Sequence, residues 1–295
     1  MYDIIIVGAG PAGLTAAIYA RRALKKVLVL EALNYGGQII NTLCIENYPA
    51  NYKISGFDFA TNIYNQAKDL GAEIKYEKVL EINENKEVIT ADNKYKAKAI
   101  ILATGSCNRK LGLDNEEEFT GKGISYCATC DGAFYKDKIV AVVGGGNVAL
   151  DDALYLSDIA SKVYLIHRRE EFRGEESLIN QLKTKKNIEF IFNSNVTKIN
   201  GKEKLESIEI NNDYDITIDG LFIAIGRIPN NDEFKLIKLN KEGYVISSEN
   251  CHTNVSFIFV AGDNREKEVR QLVTAVSDGA VAATEAIKYI NQGNC

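Results

Sequence analysis

The sequence of 295 residues lacks the features that mark several classes of protein. No stretch approaches the roughly 18 apolar residues that a membrane-spanning helix needs. The 35 Lys and Arg residues do not exceed the 40 Asp and Glu residues, so no basic excess favours nucleic acid or an anionic membrane. Only two histidines are present, which disfavours a Ser–His–Asp hydrolase. The first residues lack the basic segment and cleavage site of a secretory signal, and a cytoplasmic location is expected.

Cysteines are few, and most are far apart in the sequence. Of the six, only Cys127 and Cys130 are close, which does not resemble the disulfide framework of a small secreted protein. A lone Cys-x-x-Cys in an α/β chain indicates redox chemistry or half of a metal site. Zinc needs four ligands, and the chain has no second Cys-x-x-Cys and few histidines. The other cysteines are expected to be buried apolar residues at Cys44, Cys107 and Cys251, and an exposed thiol at Cys295.

The sequence does contain one unit that occurs twice. The whole sequence is 46% apolar and 25% charged, which is typical of a globular chain, and the length of 295 residues predicts two domains. An apolar strand at 4–7 is followed by a glycine turn at 8–13, an alanine-rich helix and an apolar strand at 27–30. The same order returns with 139–143, 144–149 and 163–166. The repeat predicts an α/β protein with two Rossmann-like dinucleotide-binding domains, each a doubly wound sheet in three layers.

The first glycine turn has the pattern of a dinucleotide-binding loop. Gly8 suits a tight turn, Gly10 lets the backbone approach a pyrophosphate, and Gly13 lets the helix pack on the strand. The helix start offers free N–H groups and a partial positive charge to phosphates. Glu31 follows twenty-three positions after Gly8, where an acid accepts hydrogen bonds from ribose. The alternative is a glycine-rich turn that binds no ligand.

The second glycine turn leads to a basic cluster instead of an acid. The same count from Gly144 reaches His167, the first of four basic residues that continue with Arg168, Arg169 and Arg173. Guanidinium groups bind a 2′-phosphate in a bidentate manner, whereas a carboxylate repels it. The cluster therefore predicts a preference for NADP(H) over NAD(H). The alternative is a solvated charged turn, because two glutamates interrupt the cluster.

The pair Cys127 and Cys130 lies shortly before the second repeat. A Cys-x-x-Cys ring is small, so its disulfide forms and opens reversibly, and one thiolate is usually the better nucleophile. Asp131 directly follows the pair and is placed to pass a proton to a leaving thiolate. These three residues are the candidate catalytic group.

Together these motifs resemble the low-molecular-weight thioredoxin reductase family over nearly the whole chain. Segment 8–22 resembles the FAD loop of that family, and segment 127–132 resembles its redox loop. The resemblance implies FAD-binding residues Gly8, Gly10, Pro11, Ala12, Gly13, Glu31, Gly36, Gly37, Gln38, Asn47, Thr104, Gly105, Gly262, Asp263, Arg270 and Gln271. It implies NADPH-binding residues Gly144, Gly146, Asn147, Val148, Ala149, His167, Arg168, Arg169 and Arg173.

The resemblance also implies a domain plan and a reaction. An NADPH domain at 110–239, carrying the redox pair, is inserted into an FAD domain at 1–109 and 240–295. Electrons pass from NADPH through FAD to a Cys127–Cys130 disulfide and then to thioredoxin, in a homodimer. One domain rotates against the other between the two half-reactions, about segments 110–117 and 232–238.

The resemblance assigns separate roles around the redox loop. Cys130 faces the flavin, Cys127 attacks the thioredoxin disulfide, and Asp131 carries the proton. Phe134 and Lys122 are docking candidates for thioredoxin. Two alternatives stay open: a member of the same scaffold that is fed by ferredoxin or acts as an oxidase, and a flavin-bound redox sensor without turnover.

Overall fold

The computed structural model describes residues 1–42 and 44–293. The chain divides into two compact units, of which the second, Asn108–Arg227, is inserted into the first, Met1–Cys107 and the described residues from Ile228 onward. Cys295 lies outside the described residues, and its expected exposure stays a prediction. None of the helices in the described part of the chain combines the length and apolar character needed to cross a membrane.

The second crossing between the units comes earlier in the sequence than expected. The units divide at 107/108 and 227/228, whereas the sequence placed the boundaries at 109/110 and 239/240. Phe234 and Ile237 account for the difference, because they are 4% and 7% exposed and pack in a core of the first unit with Val245 and Ile258. Segment 232–238, expected to be a hinge, is thus part of the packed first unit.

The chain forms seventeen strands among the described residues, several of them short. They are β1 (Tyr2–Val7), β2 (Val27–Glu31), β3 (Glu73–Tyr76), β4 (Glu81–Ile82), β5 (Glu87–Ile89), β6 (Lys94–Leu102), β7 (Ser106–Asn108), β8 (Ile124–Ser125), β9 (Ile139–Gly144), β10 (Lys162–Ile166), β11 (Ile188–Ile191), β12 (Val196–Gly201), β13 (Leu205–Ile210), β14 (Tyr214–Thr217), β15 (Gly220–Ala224), β16 (Arg227–Pro229) and β17 (Ile258–Val260). The helices are α1 (Pro11–Arg22), α2 (Gly56–Asp69), α3 (Glu116–Phe119), α4 (Ala128–Asp131), α5 (Asn147–Ser157), α6 (Glu176–Thr184) and α7 (Leu272–Asn291). Within the described ranges, 3-10 turns occupy Gly37–Asn41 and Gly132–Tyr135.

The sheet of the first unit is covered on both faces. Its parallel strands follow the order β3-β2-β1-β6, with β17 beside the end of β6 and the hairpin β4–β5 beside its beginning. Ile4 and Ile6 face a core that α1 and α7 complete, whereas Ile5 and Val7 face the opposite core. A parallel strand that is buried on both faces reads as an uninterrupted apolar run, which is why β1 was recognisable from the sequence.

The sheet of the second unit repeats the same arrangement. Its strands follow the parallel order β11-β10-β9-β15-β8. Val140 and Val142 face a core lined by α5 and α6, and Ala141 and Val143 face a core that the antiparallel sheet β12–β13–β14 completes. In both units the strand before the glycine turn is central, and the strand after the helix lies beside it. The predicted fold class, two Rossmann-like α/β domains with one inserted into the other, is confirmed.

Candidate active site

The first glycine turn connects β1 to α1 with the geometry of a ligand-binding loop. Gly8 has φ +106°, a left-handed conformation that glycine adopts without strain. A Cβ on Gly13 would lie 1.9 Å from the carbonyl oxygen of Gly8, so only glycine lets the helix approach the strand there. The helix begins at Pro11 without a side-chain cap, which leaves the N–H groups of its first turn open to an anion.

Glu31 ends β2 beside this turn. Its carboxylate accepts hydrogen bonds from the N–H of Ala9 at 2.7 Å and from the N–H of Leu33 at 2.9 Å. Each carboxylate oxygen has another lone pair, so the group can still accept from a ribose hydroxyl. The structure therefore brings the acid to the glycine turn, and the bound dinucleotide stays a prediction.

The predicted FAD-binding residues Gly36 and Gly37 pack against the first glycine turn. The N–H of Gly36 donates to the carbonyl oxygen of Ala9 at 2.8 Å. A Cβ on Gly37 would lie 3.3 Å from the Cα of Gly10, so the two backbones are nearly in contact. Separately, the side-chain amides of Asn47 and Gln271 are joined by a hydrogen bond of 3.2 Å, and Gln38 donates to the carbonyl oxygen of Ser106.

The segment around Thr104 and Gly105 is fixed by asparagines that the sequence did not single out. The fully buried Asn264 donates from Nδ2 to Oγ1 of Thr104 at 3.0 Å. The N–H of Asn230 donates to the carbonyl oxygen of Gly105 at 3.1 Å. A Cβ on Gly8 would lie 2.3 Å from the carbonyl oxygen that precedes Thr104. This segment and the first glycine turn are therefore in direct backbone contact.

The segment Gly262–Asp263 also lies beside the first glycine turn and contacts both α1 and α7. A Cβ on Gly262 would lie 3.0 Å from the Cβ of Ala12. The N–H of Gly262 donates to Oδ2 of Asp278 at 3.0 Å. The ammonium of Lys267 lies 3.0 Å from that oxygen and 3.7 Å from Oδ1 of Asp263. Charged side chains therefore hold a backbone segment that the sequence predicted to contact the flavin.

Arg265 and Asp278 are functional candidates that sequence reasoning missed. They are 2% and 6% exposed, and the guanidinium donates from Nε and Nη2 to both oxygens of the carboxylate at 2.9 Å. Burial alone would raise the pKa of Asp278, but Arg265 and Lys267 outweigh burial and hold it below its usual value. The available signal was a carboxylate within the apolar stripe of the C-terminal helix.

The second glycine turn is shaped around His167. A Cβ on Gly145 would lie 2.2 Å from the Cε1 atom of the histidine ring, so the ring lies directly against the turn. The N–H of Arg173 donates to the carbonyl oxygen of Gly145 at 2.7 Å. Around Gly146 the space is open, and α5 begins at Asn147 without a side-chain cap. The turn therefore offers N–H groups to an anion as the first turn does.

The basic cluster divides into an exposed part and a buried part. Arg168, Arg169 and Arg173 are exposed. His167 is only 4% exposed, and its ring packs 5.5 Å from that of Phe172. Burial, followed by the neighbouring arginines, lowers the pKa of His167, which favours the neutral ring. The three arginines therefore carry the positive charge of the predicted cluster at the surface, whereas the histidine is buried.

The redox loop follows β8 in the second unit. Cys127 and Cys130 form a disulfide with a Cα–Cα distance of 5.3 Å. Ser125 donates from its hydroxyl to Oδ2 of Asp131 at 2.6 Å. Burial raises the pKa of Asp131, and the hydrogen bond from Ser125 acts in the opposite direction. A carboxyl with a raised pKa that directly follows a cleavable disulfide suits proton transfer to and from the cysteine pair.

The remaining candidates near this loop are at the surface. Phe134 is 43% exposed, and Lys122 is exposed as well. Among the other cysteines, Cys251 is fully buried, as expected, and Cys44 is half-buried. The expectation that Cys107 is buried is wrong: it is exposed, and its thiol lies 3.5 Å from the carbonyl oxygen of Ile228. Successive side chains of a strand point to opposite sides, and in β7 the neighbouring Ser106 is the buried one.

Buried polar atoms at both candidate sites have no hydrogen-bond partner among the residues that the structure describes. They are Ser106 Oγ, Asn264 Oδ1 and Arg270 Nε in the first unit and His167 Nε2 in the second. Such atoms are rare unless a ligand or water satisfies them. The hydroxyl, phosphate and ring groups of a dinucleotide can do so. The residues therefore fit a flavin dinucleotide in the first unit and a nicotinamide dinucleotide in the second.

Two dinucleotide-binding folds and a Cys-x-x-Cys disulfide define a nucleotide-dependent disulfide oxidoreductase. The chain belongs to the pyridine nucleotide-disulphide oxidoreductase family, whose model matches residues 2–279. Membership implies flavin and pyridine-nucleotide cofactors, and the chain is a flavoprotein disulfide reductase.

Relatives of known identity cover nearly the whole chain. It is 42% identical to the thioredoxin reductase of Listeria innocua, with 99% of this chain and 95% of the relative covered. It is 40% identical to that of Bacillus subtilis, with 99% and 96% covered. The solved thioredoxin reductase of Streptococcus pyogenes superposes with a TM-score of 0.94 at 39% identity, covering 99% of both chains. The resemblance predicted from the motifs is confirmed.

Proposed function

We propose that the chain is an NADPH-dependent thioredoxin reductase that uses FAD and the Cys127–Cys130 disulfide. The observation that carries the proposal is the disulfide itself. It lies in the unit that also holds the second glycine turn and the arginine cluster, and a partly buried carboxyl directly follows it. The similarity to thioredoxin reductases over the full chain supports thioredoxin as the substrate.

Each unit supplies the residues for one nucleotide. In the first unit the N–H groups at the start of α1 would bind the FAD pyrophosphate, and Glu31 would accept from its ribose. When bound, FAD supplies a two-electron carrier between nicotinamide and disulfide. In the second unit the start of α5 would bind the NADPH pyrophosphate. Arg168, Arg169 and Arg173 would bind its 2′-phosphate.

The reduced cysteine pair carries out the exchange with thioredoxin. The Cys127 thiolate attacks one sulfur of the thioredoxin disulfide, a mixed disulfide forms, and the other thioredoxin sulfur leaves as a thiolate. Cys130 then attacks the sulfur of Cys127, which restores the internal disulfide and releases the second thioredoxin thiolate. Asp131 takes a proton from the attacking thiol and gives it to the leaving thiolate. The two protons of the enzyme dithiol therefore end on the two thiols of thioredoxin.

The setting of the reaction belongs to the same proposal. Exposed Phe134 and Lys122 near the redox loop would contact thioredoxin. The enzyme would work in the cytoplasm, where a reducing nucleotide pool keeps thiols reduced. It would be a homodimer, which predicts a solution mass of about twice the 32.6 kDa of one chain, measured by analytical ultracentrifugation.

An anaerobic titration followed by visible spectroscopy tests the proposal. The purified holoenzyme should be yellow, and stepwise NADPH should bleach its flavin absorbance. Oxidised thioredoxin should then restore the colour and, with excess NADPH, be reduced catalytically. The same titration with NADH serves as the nucleotide control.

Other outcomes of the titration identify the alternatives. Flavin that NADPH leaves unbleached but reduced ferredoxin bleaches would replace the proposal with the ferredoxin-fed scheme. Rapid reoxidation by oxygen with no reduction of thioredoxin would indicate an oxidase. Bleaching without turnover of any disulfide would indicate a redox sensor.

A further inference from the structure

Ser125 stands where the redox loop leaves the sheet of the second unit. It ends β8, and its register partner in β15 is Phe222. The residue is 4% exposed. A side chain on a buried, paired strand is held more firmly than one in a loop. The hydroxyl of Ser125 is therefore held in place beside a loop whose disulfide forms and breaks.

The hydroxyl contacts both ends of the redox loop. It donates to Oδ2 of Asp131 at 2.6 Å and accepts from the N–H of Cys127 at 3.1 Å. The carbonyl oxygen of Cys127, at 3.3 Å, is a longer alternative acceptor for it. The N–H of Asp131 donates to that same carbonyl at 3.1 Å. One hydroxyl thus joins the first cysteine to the carboxyl that follows the second.

We propose that Ser125 is a positioning residue for the dithiol chemistry: its hydroxyl holds the Asp131 carboxyl where that group exchanges protons with the cysteine pair. A serine suits this role because one hydroxyl can donate to a carboxylate and accept from an N–H at the same time. The thiol proton of Cys127 passes to Asp131 and then to the leaving thiolate, and Ser125 is unchanged at the end. The proposal rests on the proposed function and adds a residue to its machinery.

The surroundings of Asp131 explain why one hydrogen bond matters. Burial raises the pKa of Asp131, and the donation from Ser125 is the opposing influence. Helix α4 packs against α5 and the following 3-10 turn. The pKa of Tyr135 is raised to about 12, chiefly by burial and also by Asp131 and Asp219, and that of Asp152 to about 7, chiefly by burial. Of the titratable groups on these elements, Tyr155 lies beside the loop, where a Cβ on Gly132 would be 2.9 Å from its ring, and Tyr135 interacts with Asp131 and Asp219. Asp152 lies on α5 and interacts with Asp151 and Arg227.

The test compares Ser125→Ala with wild type in a reaction that needs no thioredoxin. The holoenzyme is reduced with dithiothreitol, freed of excess reductant, and mixed anaerobically with the disulfide DTNB across a range of pH. The rate falls on the acid side because the attacking thiol becomes protonated and because protonated Asp131 cannot take its proton; only the second contribution depends on Ser125. Without the hydroxyl of Ser125, nothing opposes the rise that burial causes in the pKa of Asp131. The acid limb of the pH–rate profile, the range in which the rate falls as the pH is lowered, should therefore move to higher pH by about half to one unit.

Two further variants act as controls. Ser157→Ala removes another buried serine hydroxyl, which donates to the carbonyl oxygen of Leu154 on α5 at 2.6 Å, and should leave the limb in place. Ser125→Thr keeps the hydroxyl and should restore most of the wild-type profile. Thermal melting confirms that each variant is folded. Ser125→Val, which has the shape of the threonine variant and lacks its hydroxyl, takes the place of Ser125→Ala if the alanine variant does not fold.

A double-mutant cycle decides whether Ser125 acts through Asp131. In an Asp131→Asn background, Ser125→Ala should have no further effect on the rate or its pH profile. An effect of equal size in both backgrounds, or an unmoved acid limb in Ser125→Ala, overturns the proposal. If wild type fails to reduce thioredoxin while the limb still shifts, the proposed function fails and the role of Ser125 stands.

Discussion

The two glycine turns differ at their second position, which is Ala9 in the first turn and Gly145 in the second, because each of these residues faces a different side chain. In the first turn the N–H of Ala9 donates to the Glu31 carboxylate at 2.7 Å. In the second turn Gly145 faces the ring of His167, and a Cβ there would lie 2.2 Å from the ring. Three consecutive glycines in the second turn therefore follow from the bulk of the histidine that replaces the acid.

We expect the preference for NADPH over NADH to depend on individual arginines of the second unit. Replacing Arg168 and Arg169 together by alanine should raise the KM for NADPH by tenfold or more, because hydrogen bonds to a charged phosphate contribute about 1.5–3 kcal/mol each. The KM for NADH should change little, since NADH has no 2′-phosphate. Steady-state kinetics with both nucleotides measures the ratio.

The matched control removes the same charge elsewhere in the second unit. Lys202 and Lys204 are exposed in the connection between β12 and β13, and their double alanine variant should keep the preference for NADPH. Equal losses for NADPH and NADH in the arginine variant would contradict a 2′-phosphate site at this cluster.

Elements that carry no motif hold the motif-bearing segments in place. Helix α7 places Asp278 so that it accepts from the N–H of Gly262 and from both donor atoms of Arg265. A buried charge network of this kind contributes little net stability when intact. Removing one partner is costly, because the other charge is left uncompensated.

Asp278→Asn should therefore destabilise the protein by about 3–5 kcal/mol. The pKa of Asp278 is lowered in the folded state, so its contribution is complete above the ordinary carboxyl pKa and is lost as the pH falls through the lowered value. The difference between wild type and variant should be largest near pH 7 and shrink below about pH 4. Denaturant unfolding at several pH values measures it.

Asp69→Asn is the matched control for the same measurements. Asp69 is exposed at the end of α2, and its variant should unfold like wild type at every pH. An Asp278→Asn variant that is as stable as Asp69→Asn at pH 7 would contradict the structural role of the network.

The elements that the sequence revealed are those with a strong local pattern. Strands β1 and β9 are apolar on both faces, and glycine turns follow both of them. Helix α2 was missed because few of its side chains are buried. A signal for it existed: Ser55 accepts from the N–H of Asp58 at 3.0 Å, as an N-cap does. At Asp278 the sequence offered only a partial signal, a carboxylate within an apolar helical stripe, because its pairing with Arg265 and Gly262 depends on how the helix packs in the fold.

At the scale of the whole molecule, both crossings between the units were predictable in kind but not in position. The repeated unit predicted two domains, and the family resemblance predicted that one domain is inserted into the other. The second crossing was expected near the charged stretch 232–238, whereas the two compact units divide at 227/228, and Phe234 and Ile237 are buried in the first unit. A few buried side chains outweigh the average polarity of a segment when they reach an existing core.

The reaction as a whole requires both units, and Cys127→Ser separates their contributions. The variant cannot form the mixed disulfide with thioredoxin, so NADPH-dependent reduction of thioredoxin should fall by about a thousandfold or more. Rapid bleaching of the flavin by NADPH should remain, because it does not involve Cys127. Cys107→Ser removes another exposed thiol and should leave both reactions intact. Normal turnover of thioredoxin by Cys127→Ser would show that electrons leave the molecule by another route.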